Sequence, residues 1–240
     1  MRRYLITSPI LILLSLTQTT QADSPRSSLL SEVEKAIVVQ TNEFRQKHNL
    51  PKVEQDETLT ETASKFANFM AENSKYGHHA DGKTPAQRAK EQGYQYCVVR
   101  ENIAYRTNTG EVTADSLIDV FVQGWIDSPP HRENMLADYI TETGVAVATS
   151  DDTTYYAVQL FGRPKSAAIQ IKVTNQSEET QTLSTEANDS SDEFQMPPRS
   201  VVTMTRCFPT TLRLNDDDTE VMLKESTELA ISDGALMRKQ

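Results

Sequence analysis

The stretch GVAVATSDDTTYYAVQLF, residues 144–161, decides the fold. Its two halves, GVAVA (144–148) and YYAVQLF (155–161), carry apolar or small residues on both faces of an extended chain. A strand with one wet face alternates apolar and polar residues, so these runs predict strands held between two covering layers. The acidic turn SDDTT (150–154) joins them as an antiparallel pair. Helical periods precede them. Helices on both faces of a small antiparallel sheet make an α+β domain, a three-layer α-β-α sandwich.

Working backwards, Leu30, Val33, Ile37, Thr41 and Phe44 recur at spacings of three and four. They predict a first helix that Leu50-Pro51 ends, with residues 23–28 as a loose entry. A second helix takes Asp56 or Thr58 as its cap, and Thr58 to Glu61 fits a capping box. It buries Leu59, Ala63, Phe66, Ala67 and Met70, and runs out near Tyr76-Gly77, which delivers His78 and His79 to its C-terminal end. Residues 84–94 predict a short helix capped by Thr84, with Pro85 in its first turn and Gly93 at its end. Residues 95–104 read as a strand or buried strap. A third long helix starts near Thr113, buries Leu117, Phe121, Gly124 and Trp125, and stops at Ser128-Pro129-Pro130. HRENML (131–136) adds a helical turn.

The composition shifts after Gly162-Arg163-Pro164. IQIKVT (169–174) alternates as a half-buried strand does, and residues 197–207, 211–214 and 221–223 predict further short strands. The polar, acidic run over 175–194 predicts a mobile loop, and the last dozen residues a frayed end. The organisation expected is a main domain over 29–165 and a small β-rich C-terminal extension over 166–240, without a second full core.

Met1-Arg2-Arg3, the apolar run over 4–16 and the polar TQTTQA (17–22) have the three-part layout of a signal peptide, residues 1–22, cleaved after Ala22. The apolar run is too short to span a bilayer and Pro9 interrupts it. The expectation is an exported protein, periplasmic or extracellular, and not an integral membrane protein. The net charge of −10 argues against a nucleic-acid partner and against anionic membrane surfaces. Cys97 and Cys207 are the two cysteines. In an oxidising compartment an even count predicts one disulfide rather than two buried free thiols.

Several motifs stand in a telling order. NEFR (42–45) and LTETA (59–63) lie on the first two helices, followed by HHADG (78–82), PAQR (85–88), ENIA (101–104), WIDSPPHREN (125–134), GVAV (144–147) and YAVQLF (156–161). As an ordered set they resemble a bacterial-type CAP domain over residues 37–163. CAP is the superfamily of cysteine-rich secretory proteins, insect venom allergens and plant pathogenesis-related proteins. The resemblance implies an α-β-α sandwich with a cleft lined by two histidines and two acids. His78 matches the first histidine, His131 the second and Glu101 one acid, with Arg100 where glycine is usual. The second acid finds no clear counterpart near Asp127 and Ser128, and Pro130 replaces a glycine. The family has no common reaction. The ligand classes implied are lipids or sterols, cell-wall fragments and other proteins.

Read without the family, His78, Glu101 and His131 are two imidazoles and a carboxylate at the ends of separate elements, a set that suits a divalent metal such as Zn²⁺ with open positions. The alternative is that they hydrogen-bond one another and brace loops. Glu133 offers a spare ligand, but its plainer reading is a surface acid in the first turn of a helix. Ser128 lies three residues before His131, but no G-x-S-x-G elbow is present, and its plain reading is a helix-ending residue. Trp125 reads as core and Asn102 as a loop brace. The leading expectation is a non-enzymatic exported binding module using the His/Glu-lined cleft. The alternatives are a metal-dependent hydrolase in the same cleft and a lipid or sterol carrier. Of the paired histidines, His78 is expected to work and His79 to face solvent.

Overall fold

The computed structural model describes residues 24–108, 110–188, 190–215 and 220–239. The expected signal peptide lies outside them. Helix α1 (Pro25–Lys47) is followed by β1 (Glu54–Gln55), α2 (Glu57–Asn73), α3 (Pro85–Glu91) and β2 (Tyr96–Thr107). Then come α4 (Ala114–Ile118), a π-helical turn (Asp119–Gln123), α5 (Gly124–Asp127), α6 (Pro129–Leu136), β3 (Glu142–Ala148) and β4 (Thr154–Pro164). The sheet runs β1-β3-β4-β2, with β1 parallel to β3 and the other pairs antiparallel.

The period of two sorts the central strands between two cores. On β3, Val145 and Val147 pack towards α1 and the α4–α6 helices, whereas Ala146 and Ala148 pack towards α2. On β4, Ala157 and Phe161 join the first core, and Val158 and Leu160 the second. This is the α-β-α sandwich that the two-faced strands predict. The small residues on β3 face α2 for a reason: a Cβ on Gly144 would lie 2.2 Å from the backbone carbon of Leu59. Helix and sheet touch through backbone there, and only glycine permits it.

Leu59, Ala63, Phe66, Ala67 and Met70 all lie in the α2 core. Asp56, not Thr58, caps the helix, its Oδ1 accepting from the Leu59 N–H at 2.8 Å. Helix α1 starts at Pro25 with Ser24 as its cap, so residues 25–28 are helix rather than loose entry. Its Arg45 is fully buried, with no carboxylate partner among the described residues. It donates instead to the carbonyls of Pro51, Met135 and Ala137 at 2.7–2.9 Å, tying α1 to the end of α6. The α4–α5 rod buries Leu117, Phe121 and Trp125, but the widened turn between them leaves Gly124 exposed, contrary to expectation.

Beyond β4 the chain forms β5 (Ile169–Asn175), β6 (Gln181–Ala187), β7 (Ser190–Met196), β8 (Val201–Arg206), β9 (Thr210–Leu214), β10 (Glu220–Leu223), β11 (Thr227–Ser232) and β12 (Ala235–Arg238). They make two sheets, β10-β9-β6-β7 and β12-β11-β5-β8. One core joins both, with Ile171 and Ile231 from one sheet and Leu183 and Leu212 from the other. Three expectations are corrected here. The acidic run over 175–194 is not a mobile loop: most of it lies in the β6–β7 hairpin. The C-terminal residues expected to be frayed are ordered over 229–238, where β11 and β12 pair as a hairpin. The extension has its own shared core. The polar hairpin misleads because β7 is an edge strand, whose outward residues face water.

The two units are covalently joined. Cys97, on β2, bonds to Cys207, just after β8. The Tyr139 and Phe208 rings meet edge to face at 4.9 Å, and Lys224 pairs with Asp138. Among the described residues no helix is long and apolar enough to cross a membrane.

Candidate functional site

The site forms where the loop between α2 and α3, strand β2 and helix α6 meet. Helix α2 ends at Ser74 in the left-handed conformation, and positive φ angles at Gly77 (+134°) and Gly82 (+82°) turn the loop that carries His78. The neighbouring His79 is exposed.

Arg88 organises this loop. Thr84 and Gln87 form a reciprocal capping box that fixes α3, and Arg88 sits on the buried side of that short helix. Its guanidinium lies 3.5 Å over the Phe66 ring. It donates to the carbonyls of His78 (3.1 Å) and Lys83 (2.9 Å), to Asp81 Oδ1 (2.9 Å) and to Glu101 Oε2 (2.7 Å). Glu101, on β2, has a side chain only 1 % exposed, and its other oxygen is 2.8 Å from His78 Nδ1. Both carboxylate oxygens are therefore committed, one to a guanidinium and one to an imidazole. His78, by contrast, is 45 % exposed at its side chain and uses only Nδ1 in this contact.

His131 approaches from α6. Pro129 and Pro130 occupy the first turn of that helix, where their missing N–H groups cost nothing. Ser128 precedes them as cap residue, yet its hydroxyl makes no capping bond and lies 2.9 Å from His131 Nδ1. Burial holds the His131 pKa below its ordinary value, and the neighbouring His78 lowers it further. Asn102 and Asn134 weld α6 to β2: Asn102 Nδ2 donates to the His131 carbonyl (3.1 Å), and Asn134 Nδ2 donates to Asn102 Oδ1 (2.8 Å) and to the Glu101 carbonyl (3.1 Å). Arg100, which stands where the resemblance leads one to expect glycine, adds bonds to Glu133 (3.0 Å) and Asn134 (2.8 Å). Trp125 is buried and donates to the Ile103 carbonyl at 3.3 Å.

Of the three residues singled out from sequence, Glu101 contacts His78 directly and His78 acts electrostatically on His131, while Asp127 and Glu133 have partners of their own, Gln123 and Arg100. Sequence reasoning missed the roles of Arg88 and Asn134. The signal for Arg88 was an arginine on the apolar side of a seven-residue helix, a position that needs a carboxylate partner nearby. As a three-ligand metal centre the set does not fit. Glu101 has no free oxygen, a guanidinium sits 2.7 Å from it, and among the described residues no three His, Cys, Asp or Glu side chains are grouped to hold an ion.

Residues 39–161 match the family described as the cysteine-rich secretory protein family, CAP. An uncharacterized protein of Borreliella burgdorferi is 28 % identical over 157 residues, covering 65 % of this chain and 95 % of the relative. The uncharacterized protein YkwD of Bacillus subtilis is 30 % identical over 134 residues, and the chain spans about half of its length, 49 %. Among solved structures, an outer surface protein from Borrelia burgdorferi aligns at 28 % identity over 56 % of this chain and 94 % of that one, with a TM-score of 0.49. The family match extends over half of the sequence and takes in every element that carries these residues, so the chain belongs to the cysteine-rich secretory protein (CAP) family.

Proposed function

We propose that this CAP protein is an exported binding module whose cleft, built on His78, Glu101 and His131, takes a ligand at the cell envelope or outside the cell. One observation carries this reading: each polar group of the cleft is already fixed by the protein. Glu101 is locked between Arg88 and His78, and His131 is held by Ser128 and by its carbonyl bond from Asn102. Such a site presents two imidazole edges in set positions and loses little further freedom on binding, which is what preorganised recognition requires. Among the described residues its one carboxylate, Glu101, is committed to Arg88 and His78 and is not free to act as a general base.

The test is co-sedimentation with the envelope fraction of the producing organism. Wild type is expected in the pellet, and a His78→Ala/His131→Ala variant with unchanged thermal unfolding in the supernatant. Equal sedimentation of the two would remove the cleft from the binding reaction. Turnover of envelope material that a chelator abolishes would overturn the non-enzymatic reading. His79→Ala should behave as wild type.

A further inference from the structure

Beside the cleft two large aromatic side chains are left in water. Tyr76 is 48 % exposed and Tyr105 54 % exposed, and their rings meet at 4.8 Å with an interplanar angle of 61°. Exposed tyrosines are common singly; two that touch and are held rigid are a built surface. The Tyr76 hydroxyl donates to the Ile103 carbonyl at 3.1 Å, so this residue offers its ring and not its hydroxyl. Tyr105 is backed by Tyr156, its register partner on β4, with centroids 6.1 Å apart and rings inclined by 28°. Tyr156 is itself buried.

The platform is continuous with the site. Tyr76 is two residues before His78. Glu101, Ile103 and Tyr105 share one face of β2 by the period of two. Burial raises the Tyr76 phenol pKa, and Tyr105 and the Glu101 charge raise it further, which places the ring close to the cleft carboxylate.

We propose that the Tyr105 ring, braced edge to face by Tyr76, is a stacking surface for a neutral pyranose ring of an envelope glycan, whose hydroxyl rim turns towards His78. This rests on the binding reading above and names its ligand class. A pyranose offers an apolar C–H face to an aromatic ring and a rim of hydroxyls to polar neighbours, which matches the two halves of this surface. A lipid tail would remain largely in water on so open a platform. Anionic polymers are disfavoured by the charge of −10 and by Glu101 beside Tyr76.

The test is calorimetric titration of the whole protein with a β-1,4-linked N-acetylglucosamine tetramer. Wild type is expected to bind saturably. Tyr105→Thr, which keeps a strand-forming residue on β2, should bind about tenfold more weakly, the loss of one stacking contact. Tyr105→Trp should retain binding. Absence of saturable binding to wild type, wild-type affinity in Tyr105→Thr, or tighter binding of a sulfated oligosaccharide would each overturn the proposal. If the tetramer fails to bind while envelope sedimentation still depends on the two histidines, the platform falls and the cleft reading stands. If the tetramer binds through Tyr105 but sedimentation ignores the histidines, the platform stands and the cleft reading falls.

Discussion

Removing the Arg88 guanidinium should cost more than any surface change on this protein. Arg88→Met keeps an unbranched stem over Phe66 and deletes four hydrogen bonds, two of them to the carboxylates of Asp81 and Glu101. Its side chain is 6 % exposed and that of Glu101 only 1 %, so water does not replace what is lost. Hydrogen bonds to charged groups contribute about 1.5–3 kcal/mol each. Breaking a buried ion pair from one side costs about 3–5 kcal/mol. Asp81 is nearer the surface and recovers part of its solvation, and His78 still faces one oxygen of Glu101. The expected loss is therefore about 4 kcal/mol, towards the middle of that range. Urea unfolding followed by the fluorescence of Trp125, the single and buried tryptophan, measures it. The double variant Arg88→Met/Glu101→Gln removes the stranded charge and should recover about half of the loss. A loss below about 1 kcal/mol in Arg88→Met, the scale of a surface pair, would show that the guanidinium does not hold the His78 loop and would refute this account of the site.

Three further outcomes follow from geometry. Gly144→Ala places a Cβ 2.2 Å from the Leu59 backbone carbon, so α2 must move off β3; we expect a loss of about 3 kcal/mol or no folded protein, read by thermal unfolding. His131 has a folded pKa below its ordinary value of 6.5, so it stabilises the fold above 6.5, and that contribution is lost as pH falls towards the lower folded value. His131→Gln should flatten the pH dependence of urea midpoints in that window, and NMR titration of the imidazole should show the depressed value directly. Cys207→Ser opens a loop with a sequence separation of 110 and should lower stability by about 4–5 kcal/mol on the chain-entropy account, an effect that reducing agent reproduces in wild type.

The layered core was legible because its strands are apolar on both faces, and a helix period of three and four picked out the residues that α1, α2 and α4–α5 bury. The cysteine count indicated the bond between Cys97 and Cys207. What escaped was set by distant partners. The β7 hairpin strand looks like solvent-facing loop because it is an edge, and its order depends on the pairing of β6 with β7 and β9. Asp56 wins the α2 cap over Thr58 because Asp56 directly follows β1 in extended conformation, and β1 is fixed by its distant pairing with β3. For the site, the histidines and Glu101 stand out by type and by motif. Arg88 does not, because its work is done on groups carried by three different elements. Tyr76 and Tyr105 lie far apart along the chain, and only the fold of the loop onto β2 makes them neighbours.

The bond between Cys97 and Cys207 also decides how the cleft responds to pulling. It closes a covalent ring over a separation of 110, and Glu101, Ser128 and His131 all lie inside that ring. His78 and Arg88 lie outside it, on the N-terminal side. A force applied between the two ends of the chain passes through the sulfurs, so roughly 380 Å of extended length, at about 3.5 Å per residue, stays hidden from it. Under tension the His78 loop is drawn off while the wall bearing Glu101 and His131 keeps its length. The two halves of the site therefore differ in mechanical fate, and a bound ligand would be released by the failure of one wall alone.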